Sequence, residues 1–337
     1  MRTITNKHGL PDSFMNAFNK DTHPVSGDIS VSQLLGPPQV RYLKRIHDIE
    51  EDAMDYIFAT FGTALHKWIE AGNSPDFDTT AVEHVADLAK VAYNETQDPR
   101  YMNLVKAIKA LSPEVKDKTI FMEKSMSVDM GDIVLYGTSD EIKTFGDYSI
   151  ISDHKLCSTY AWIYKESREK WMEQLNVYAW MAEKNGFPPV KELWINAYFR
   201  DWSHSRLLRG GDYPKHPYMR VQVDRKTNEQ VEAFIKTRLD LHRMADNGTP
   251  PECDGNDRWA SADSYAVKVK NAKSAVRGSI KDSYAAAEQF IKENGHKLIE
   301  PYVEVRPGES RKCESYCPVR SVCPQYKKIQ EQTRENL

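Results

Sequence analysis

The chain has 337 residues, of which 40% are hydrophobic and 28% are charged, so it can bury a sizeable core. Its formal net charge of −3 argues against a protein coated in basic surface. No run approaches the roughly 18 apolar residues of a membrane span, and the first residues contain no apolar signal segment. We therefore expect a cytoplasmic protein without a membrane anchor.

The first third of the chain is predicted to be mainly helical. Residues 1–28 are polar and irregular, whereas residues 50–71 carry apolar side chains at helical spacing. This spacing predicts an amphipathic helix that ends at the turn from Gly72 to Pro75. Residues 80–111 show a weaker helical periodicity. The apolar stripe of the first helix consists of Met54, Ile57, Phe58, Phe61, Leu65, Trp68 and Ile69.

The period of the apolar residues then changes to two, which predicts strands. Glycine-containing turns join the first of these strands into a meander, which covers residues 119–128, 133–144 and 148–153. A helix over residues 167–185 and a strand over residues 192–200 follow. The order is helix, three strands, helix, strand, and it predicts a mixed α/β fold.

The Thr249-Pro250-Pro251 segment breaks the chain and marks a boundary. A strand at 218–223 and a helix at 228–246 precede it, and a helix near 278–294 and a strand at 300–305 follow it. We predict an irregular segment over residues 1–28, a core with a helical insertion over 29–248, a C-terminal extension over 249–326 and a polar tail over 327–337.

Two acidic residues and a lysine stand close together in the predicted meander. Asp153 and Lys155 share one face of a strand, and Asp140 lies on the preceding strand. Two carboxylates at one end of a sheet can hold Mg²⁺ or Mn²⁺, which prefer oxygen ligands. A lysine on the same face can orient a water and offset charge on a phosphate. Taken by itself, the short Asp-x-Lys pattern is explained better by a surface-exposed ion pair at a strand end.

Two further polar features lie on the predicted helices. His66 falls on the flank of the apolar stripe, beside Gly62 and Ala59, where another backbone or a metal could approach closely. A partly buried structural histidine is the alternative. Gln174 and Tyr178 are four residues apart, so they are neighbours on one helix face. An ordinary amphipathic edge would also explain that pair.

The cysteines indicate a second metal site. An odd number of five in a chain without a signal argues against a disulfide framework. Cys313, Cys317 and Cys323 crowd into eleven residues, which is typical of metal or cluster ligation. Cys253, which follows the Pro-Pro break, is the best fourth thiolate for an iron–sulfur cluster or a zinc ion. Cys157 is predicted to be a small core residue.

The motifs together resemble the RecB-type branch of the PD-(D/E)xK nuclease superfamily. They read Gly62-Thr63-Ala64-Leu65-His66, Gly137-Thr138-Ser139-Asp140, Asp153-His154-Lys155 and Gln174-Leu175-Asn176-Val177-Tyr178. Glu123 on the first strand is similar to that family as well. The predicted element order is similar to the αβββαβ core of the restriction-endonuclease-like fold. This chain departs from the family where His154 replaces a residue that is usually apolar or aromatic.

The resemblance implies a Mg²⁺- or Mn²⁺-dependent deoxyribonuclease, an exonuclease rather than an endonuclease, in DNA recombination or end processing. Lys155 would act on the nucleophilic water, while Gln174 and Tyr178 would position DNA or support the site. The implied metal ligands are Asp140, Asp153, the backbone carbonyl of His154, and His66. The implied partners are single- or double-stranded DNA ends and a recombination or replication protein, in a bacterium or a phage-infected cell.

The cysteine pattern is similar to that of CRISPR-associated exonucleases, where three clustered cysteines and a distant one hold a [4Fe–4S] cluster. It is more similar to that of nuclease-like proteins encoded by bacteriophages, which share the Cys-x3-Cys-Pro type of ending. In the CRISPR-associated group the distant cysteine precedes the core, but here none precedes Cys157, so Cys253 takes that place. The Cys-x-x-Cys knuckles of many zinc sites are missing, which favours iron–sulfur over zinc. The alternative functions are a non-catalytic DNA-binding or assembly protein with this fold, and a structural zinc protein.

Overall fold

A computed structural model describes residues 3–20, 26–73, 90–99, 101–102, 118–163 and 165–335. The chain divides into two compact units. The sheet unit contains Asn6–Leu35 and Ala53–Lys236, and the cysteine unit contains Met1–Thr5, Gly36–Asp52 and Thr237–Leu337. Both units are discontinuous in sequence, and the domain ranges given above stay a prediction. Within the described ranges, no helix is long and apolar enough to span a membrane.

The strands and helices are numbered in chain order. The strands are β1 Thr3–Thr5, β2 Ile29–Ser30, β3 Glu50–Asp52, β4 Lys118–Asp129, β5 Val134–Phe145, β6 Tyr148–Cys157, β7 Val190–Phe199, β8 Tyr218–Val223, β9 Ser264–Val269, β10 Ile280–Lys281 and β11 Pro301–Arg306. The helices are α1 Asp12–Lys20, α2 Val31–Leu35, α3 Pro38–Ile46, α4 Ile57–Gly72, α5 Thr159–Ile163, α6 Lys165–Lys184, α7 His204–Leu207, α8 Asn228–Asp246, α9 Gly255–Arg258, α10 Tyr284–Asn294, α11 Arg311–Ser315 and α12 Pro324–Glu335.

The sheet unit is built on a six-stranded mixed sheet. The strands β4, β5 and β6 form the predicted antiparallel meander, β7 runs parallel to β6, and β8 runs antiparallel to β7. The short strand β2 pairs in parallel with the start of β5. The mixed α/β fold class is therefore confirmed.

Helix α6 forms the core of this unit. Its middle, from Leu175 to Ala182, is buried all round the helix and contacts β5, β6, β7 and α2. This buried stretch includes the polar residue Asn176. Asn176 is satisfied by donating to the Asp224 carbonyl at 3.1 Å and accepting from the Lys226 amide at 2.8 Å. Each large apolar side chain buried here stabilises the fold by about 1.5–3 kcal/mol.

The predicted helix over residues 50–71 begins later than its periodicity indicates. Residues Glu50–Asp52 form β3 and pair in parallel with β1 in the cysteine unit, and a 3₁₀ turn over Ala53–Tyr56 precedes α4. No residue of α4 is buried, although its apolar residues recur at the spacing of an amphipathic helix. Phe58 is 52% exposed and Trp68 is 75% exposed.

Both chain ends contain more regular structure than their polar composition predicts. The segment expected to be irregular contains β1 and α1, and most of the predicted polar tail belongs to α12. Helix α12 starts with Pro324, whose fixed φ suits the first turn of a helix. The helix predicted over residues 80–111 lies mostly outside the described residues. Within this range, residues 90–96, 99 and 101–102 are described and helical.

The cysteine unit contains a three-stranded antiparallel sheet in the order β10-β9-β11, with α10 packed against it. Ala266 and Val267 of β9 and Ala287 of α10 are fully buried. The predicted helix near 278–294 is shorter in the structure, because Ser283 caps α10 by accepting a hydrogen bond from the Ala286 amide at 3.2 Å. The residues before this cap form β10.

Candidate active site

The strands β5 and β6 separate at the point where the acidic motif residues lie. Their antiparallel pairing ends with Glu141 opposite Ser152, and β2 pairs with β5 beyond it. The side chain of Asp140 occupies the gap, because its Oδ2 accepts a hydrogen bond from the His154 amide at 2.7 Å. Asp140 and Asp153 therefore meet in a cleft between two diverging strands.

Asp153 has an unsatisfied oxygen in this cleft. It is 2% exposed, and its Oδ1 accepts a hydrogen bond from Lys155 Nζ at 2.9 Å. Its Oδ2 is buried and has no hydrogen-bond partner among the described residues. A buried carboxylate oxygen without a partner costs free energy, which a bound cation would recover. The donor set of the cleft consequently fits a divalent metal ion.

Asp140 also belongs to a group of three side chains that includes His66 and Glu123. His66 Nδ1 lies 3.2 Å from Glu123 Oε1, and His66 Nε2 lies 3.5 Å from Asp140 Oδ2. The ligand atoms of these three residues all lie within 4.8 Å of one another, which is close enough for one cation. His66 Nε2 is also 2.8 Å from the backbone carbonyl oxygen of His154. The resemblance implies this carbonyl oxygen as a metal ligand. The structure thus places His66 next to both Asp140 and the His154 carbonyl.

Glu123 is not among the ligands implied by the resemblance, although a glutamate on the first strand matches the family. Its backbone has a φ of 47°, a left-handed conformation that is rare for a residue other than glycine. The pairing of β4 with β5 skips this residue, between Met122 and Lys124. Strained backbone of this kind costs about 1–3 kcal/mol and is concentrated at functional sites. Alternating strand periodicity carries no signal for such a distortion.

Burial and mutual charge shift the pKa values of these groups. Burial first, and then the negative charge of Asp153, raise the pKa of Asp140 to about 7. Burial alone would lower the pKa of His66. The hydrogen bond to Glu123 and the negative charge of Asp140 outweigh this effect and raise the pKa of His66 to about 9. Burial also opposes the charged form of Lys155, yet the two aspartates raise the pKa of its ammonium above the usual value. Lys155 is therefore cationic at neutral pH.

Gln174 and Tyr178 support the lysine from α6. Lys155 Nζ donates to Gln174 Oε1 at 3.0 Å, and Gln174 Nε2 donates to the Tyr178 hydroxyl at 3.3 Å. Tyr178 packs over Gly137, where an added Cβ would lie 2.8 Å from its ring and 2.8 Å from Val31 Cγ2. A side chain at position 137 would therefore displace Tyr178. This contact explains the glycine of the Gly-x-x-Asp motif.

Gly62 and the ring of His154 take no part in this group of side chains. An added Cβ at Gly62 meets no described atom within 4 Å, so the close approach expected beside His66 does not involve this glycine. The His154 ring does not join the metal-binding groups. It stacks at 6.1 Å and 27° on Tyr198, with Nδ1 3.4 Å from the tyrosine hydroxyl. The polar residue in the middle of Asp-x-Lys is therefore accommodated by a tyrosine on β7.

The four cysteines predicted to act together lie in the cysteine unit and form no disulfide. Burial first, and then Asp257 and the other three thiols, raise the pKa of Cys253 to about 12. Burial and the neighbouring thiols also raise the pKa values of Cys313 and Cys317. The thiols are thus close enough to influence one another's ionisation, although Cys253 is remote in sequence. Within the described residues, however, no three of these sulfur atoms lie within 4.8 Å of one another.

Hydrogen bonds and apolar packing hold the backbone around these cysteines. Gln325 holds the backbone of Cys253 by accepting from its amide at 2.9 Å and donating to its carbonyl at 2.8 Å. Cys323 is buried in a small core with Leu43, Ile49 and Val319, against which Cys317 also packs. Cys157 belongs to β6 of the sheet unit and is 6% exposed, so its predicted place in the core is confirmed.

Comparison with known proteins identifies the family. The family profile described as the PD-(D/E)XK nuclease superfamily matches residues 39–324. No curated protein sequence matches this chain. A solved structure described as "Crystal structure of SSO0001" is similar at 11% sequence identity and a TM-score of 0.37, over 68% of this chain and 84% of that chain. At this TM-score the likeness carries no argument. The family match covers most of the sequence, and the chain therefore belongs to the PD-(D/E)XK nuclease superfamily.

Proposed function

We propose that the chain is a Mg²⁺- or Mn²⁺-dependent deoxyribonuclease, of the RecB-type branch, that hydrolyses phosphodiester bonds at DNA ends. The observation that carries this proposal is the cleft between β5 and β6. Two carboxylates and one ammonium group meet there, and Asp153 Oδ2 lacks a partner among the described atoms. The preference for ends, and a role in recombination or end processing during phage infection, rest on the resemblance of the motifs.

Each residue of the cleft has a role in this proposal. Asp140, Asp153 and the His154 carbonyl hold the cation, with His66 and Glu123 completing the set. When bound, the cation would acidify a water and offset charge on the phosphate. Metal ligation requires Asp140 and His66 to lose their protons, because ligands bind in their deprotonated forms. The Asp140 and His66 pKa values of about 7 and about 9 make metal affinity rise with pH in this range.

In this proposal Lys155 acts on the reacting water. Its ammonium stays charged because Asp153 and Asp140 raise its pKa above the usual value. Gln174 fixes the ammonium by accepting from Nζ at 3.0 Å, and Tyr178 in turn holds Gln174. A fixed ammonium can orient a water and stabilise charge that develops on the phosphate oxygens. The complete set of groups favours catalysis over the alternative of a non-catalytic DNA-binding or assembly protein.

The cysteine set fits a [4Fe–4S] cluster held by Cys253, Cys313, Cys317 and Cys323. Support comes from the mutual influence of these thiols and from nearby cations. Arg258 and Lys312 act electrostatically on Cys313, and Lys312 and Lys44 act on Cys317. These charges would stabilise an anionic thiolate-bound cluster. Zinc is the alternative occupant, and a colourless metal-containing protein would identify it. Partner proteins and a cytoplasmic location also remain proposals.

A cleavage assay on matched DNA substrates tests the proposed activity. With Mg²⁺ or Mn²⁺, we expect linear end-labelled DNA to be degraded while a closed circle of the same sequence survives, because only the linear form presents an end. Chelation by EDTA should stop the reaction. The comparison should include single- and double-stranded forms and use protein purified without oxygen. Equal cleavage of linear and circular DNA would exclude exonuclease action, and no cleavage of either would exclude the deoxyribonuclease.

A further inference from the structure

Phe58 and Arg200 form an exposed pair beside the candidate active site. The Arg200 guanidinium carbon lies 4.0 Å from the centroid of the Phe58 ring, and Phe58 is 52% exposed. The edge of Phe61 contacts Phe58 at a centroid distance of 6.4 Å and an interplanar angle of 75°. Within the described part of the chain, Arg200 has no carboxylate partner. The pair thus presents a flat aromatic ring and an uncompensated positive charge to solvent.

Each residue of the pair is linked to an element that carries a residue of the cleft. The Arg200 amide donates to the Cys157 carbonyl at 3.0 Å, which places Arg200 beside the end of β6 that carries Lys155. Phe58 lies on α4 eight residues before His66. In a straight helix this separation is about 12 Å along the axis and about 80° around it. At roughly 3.4 Å per nucleotide of a stacked strand, 12 Å corresponds to about three to four nucleotides.

We infer that Phe58 and Arg200 hold an unpaired nucleotide of the DNA strand whose end is cleaved in the cleft. Aromatic rings and guanidinium planes stack on bases, and a guanidinium also binds phosphate oxygens. At three to four nucleotides from the cleaved end a base of a duplex is internal and has both faces covered by its neighbours, so only an unpaired base can stack here. The inference rests on the proposed nuclease function and adds its substrate class, which is a single-stranded DNA end.

A binding experiment tests the inference independently of cleavage. The full-length protein is titrated into a fluorescein-labelled single strand, or a blunt duplex of the same length, with Ca²⁺ and with recovery of intact DNA verified. Phe58→Ala and Arg200→Gln should each weaken single-strand binding by about tenfold, in keeping with the strength of base–aromatic stacking. Binding to the duplex should change by less than about twofold. Phe58→Trp should restore single-strand binding, because it retains a stacking surface.

Trp68→Ala is the matched control. Trp68 is an exposed aromatic residue on the same helix, 75% exposed, but it lies about 160° around the helix from His66. We expect this variant to bind single strands as the wild type does. Equal losses with Trp68→Ala, equal losses on the duplex, or unchanged binding by Phe58→Ala would each overturn the inference. If Phe58→Ala loses thermal stability but keeps its DNA binding, Phe58 is covered by protein. That result would also overturn the inference.

The possible failures are distinguishable. If the wild-type protein binds single strands through Phe58 and Arg200 but cleaves no DNA with Mg²⁺ or Mn²⁺, the proposed activity fails and the binding surface stands. If the wild-type protein cleaves DNA and Phe58→Ala binds and cleaves normally, the binding surface fails and the nuclease stands.

Discussion

Replacing Lys155 by alanine or Asp153 by asparagine is expected to reduce metal-dependent DNA cleavage by at least about a hundredfold to a thousandfold. The Lys155 ammonium and the Asp153 carboxylate are 2.9 Å apart in a buried site, so each determines the charge that the reacting phosphate meets. Asp153→Asn preserves the shape of the side chain and removes its negative charge. The measurement is the initial rate of cleavage of end-labelled DNA with Mg²⁺ and with Mn²⁺.

Lys143→Ala is the matched control for the lysine. Lys143 Nζ pairs with Glu141 at 2.8 Å, and its side-chain exposure of 27% is close to the 22% of Lys155. Loss of this pair should leave the cleavage rate near that of the wild type. Lys155→Ala leaves the buried Asp153 without its cationic partner, which destabilises the fold. Thermal unfolding curves are therefore needed to separate loss of catalysis from loss of folded protein. Wild-type cleavage rates in both Lys155→Ala and Asp153→Asn would contradict the site assignment.

The second large effect is expected at Cys317. Cys317→Ser should give protein that is insoluble or lacks the brown colour and the absorbance at about 400 nm of an iron–sulfur protein. The physical reason is that a serine hydroxyl is a poor ligand for iron, and that metal binding is coupled to folding. Iron and sulfide content, together with the absorbance spectrum of anaerobically purified protein, measure this result.

Cys157→Ser separates loss of a ligand from loss of a buried thiol. Cys157 is 6% exposed and belongs to β6 in the sheet unit, whereas the other four cysteines belong to the cysteine unit. This variant should keep the full colour and iron content even if its unfolding temperature falls. A Cys317→Ser protein with unchanged stability and full metal content would rule out the cluster proposal.

The central elements of the fold were predictable from sequence because their signals are local. The strands β4 to β6 alternate apolar and polar residues between glycine turns, and the predicted ranges differ from the observed ends mainly at the end of β6. The start of α4 was not predictable, because residues 50–52 pair with β1, which is distant in sequence. Periodicity also places Phe58 and Trp68 in one apolar stripe, but a stripe of apolar residues does not specify what covers it.

The candidate site was predictable as a set of residues but not as a geometry. Motif spacing indicated His66, Asp140, Asp153 and Lys155, since each lies at a fixed position on a helix or strand. It carried no information on the separation of β5 from β6, which allows Asp140 to accept from the His154 amide. The left-handed backbone of Glu123 is similarly invisible to periodicity. These features depend on contacts between distant segments.

The central claim is that the cleft between β5 and β6 binds one or more divalent cations through Asp140 and Asp153. Calorimetric titration of the full-length protein with Mn²⁺ tests it most directly, with Asp140→Asn compared against Glu141→Gln. Glu141 is the neighbouring buried carboxylate, 4% exposed and paired with Lys143, and it is not among the proposed ligands. We predict that Asp140→Asn weakens Mn²⁺ binding by at least about tenfold while Glu141→Gln binds as the wild type does. Equal Mn²⁺ affinity in Asp140→Asn and the wild type would contradict the account.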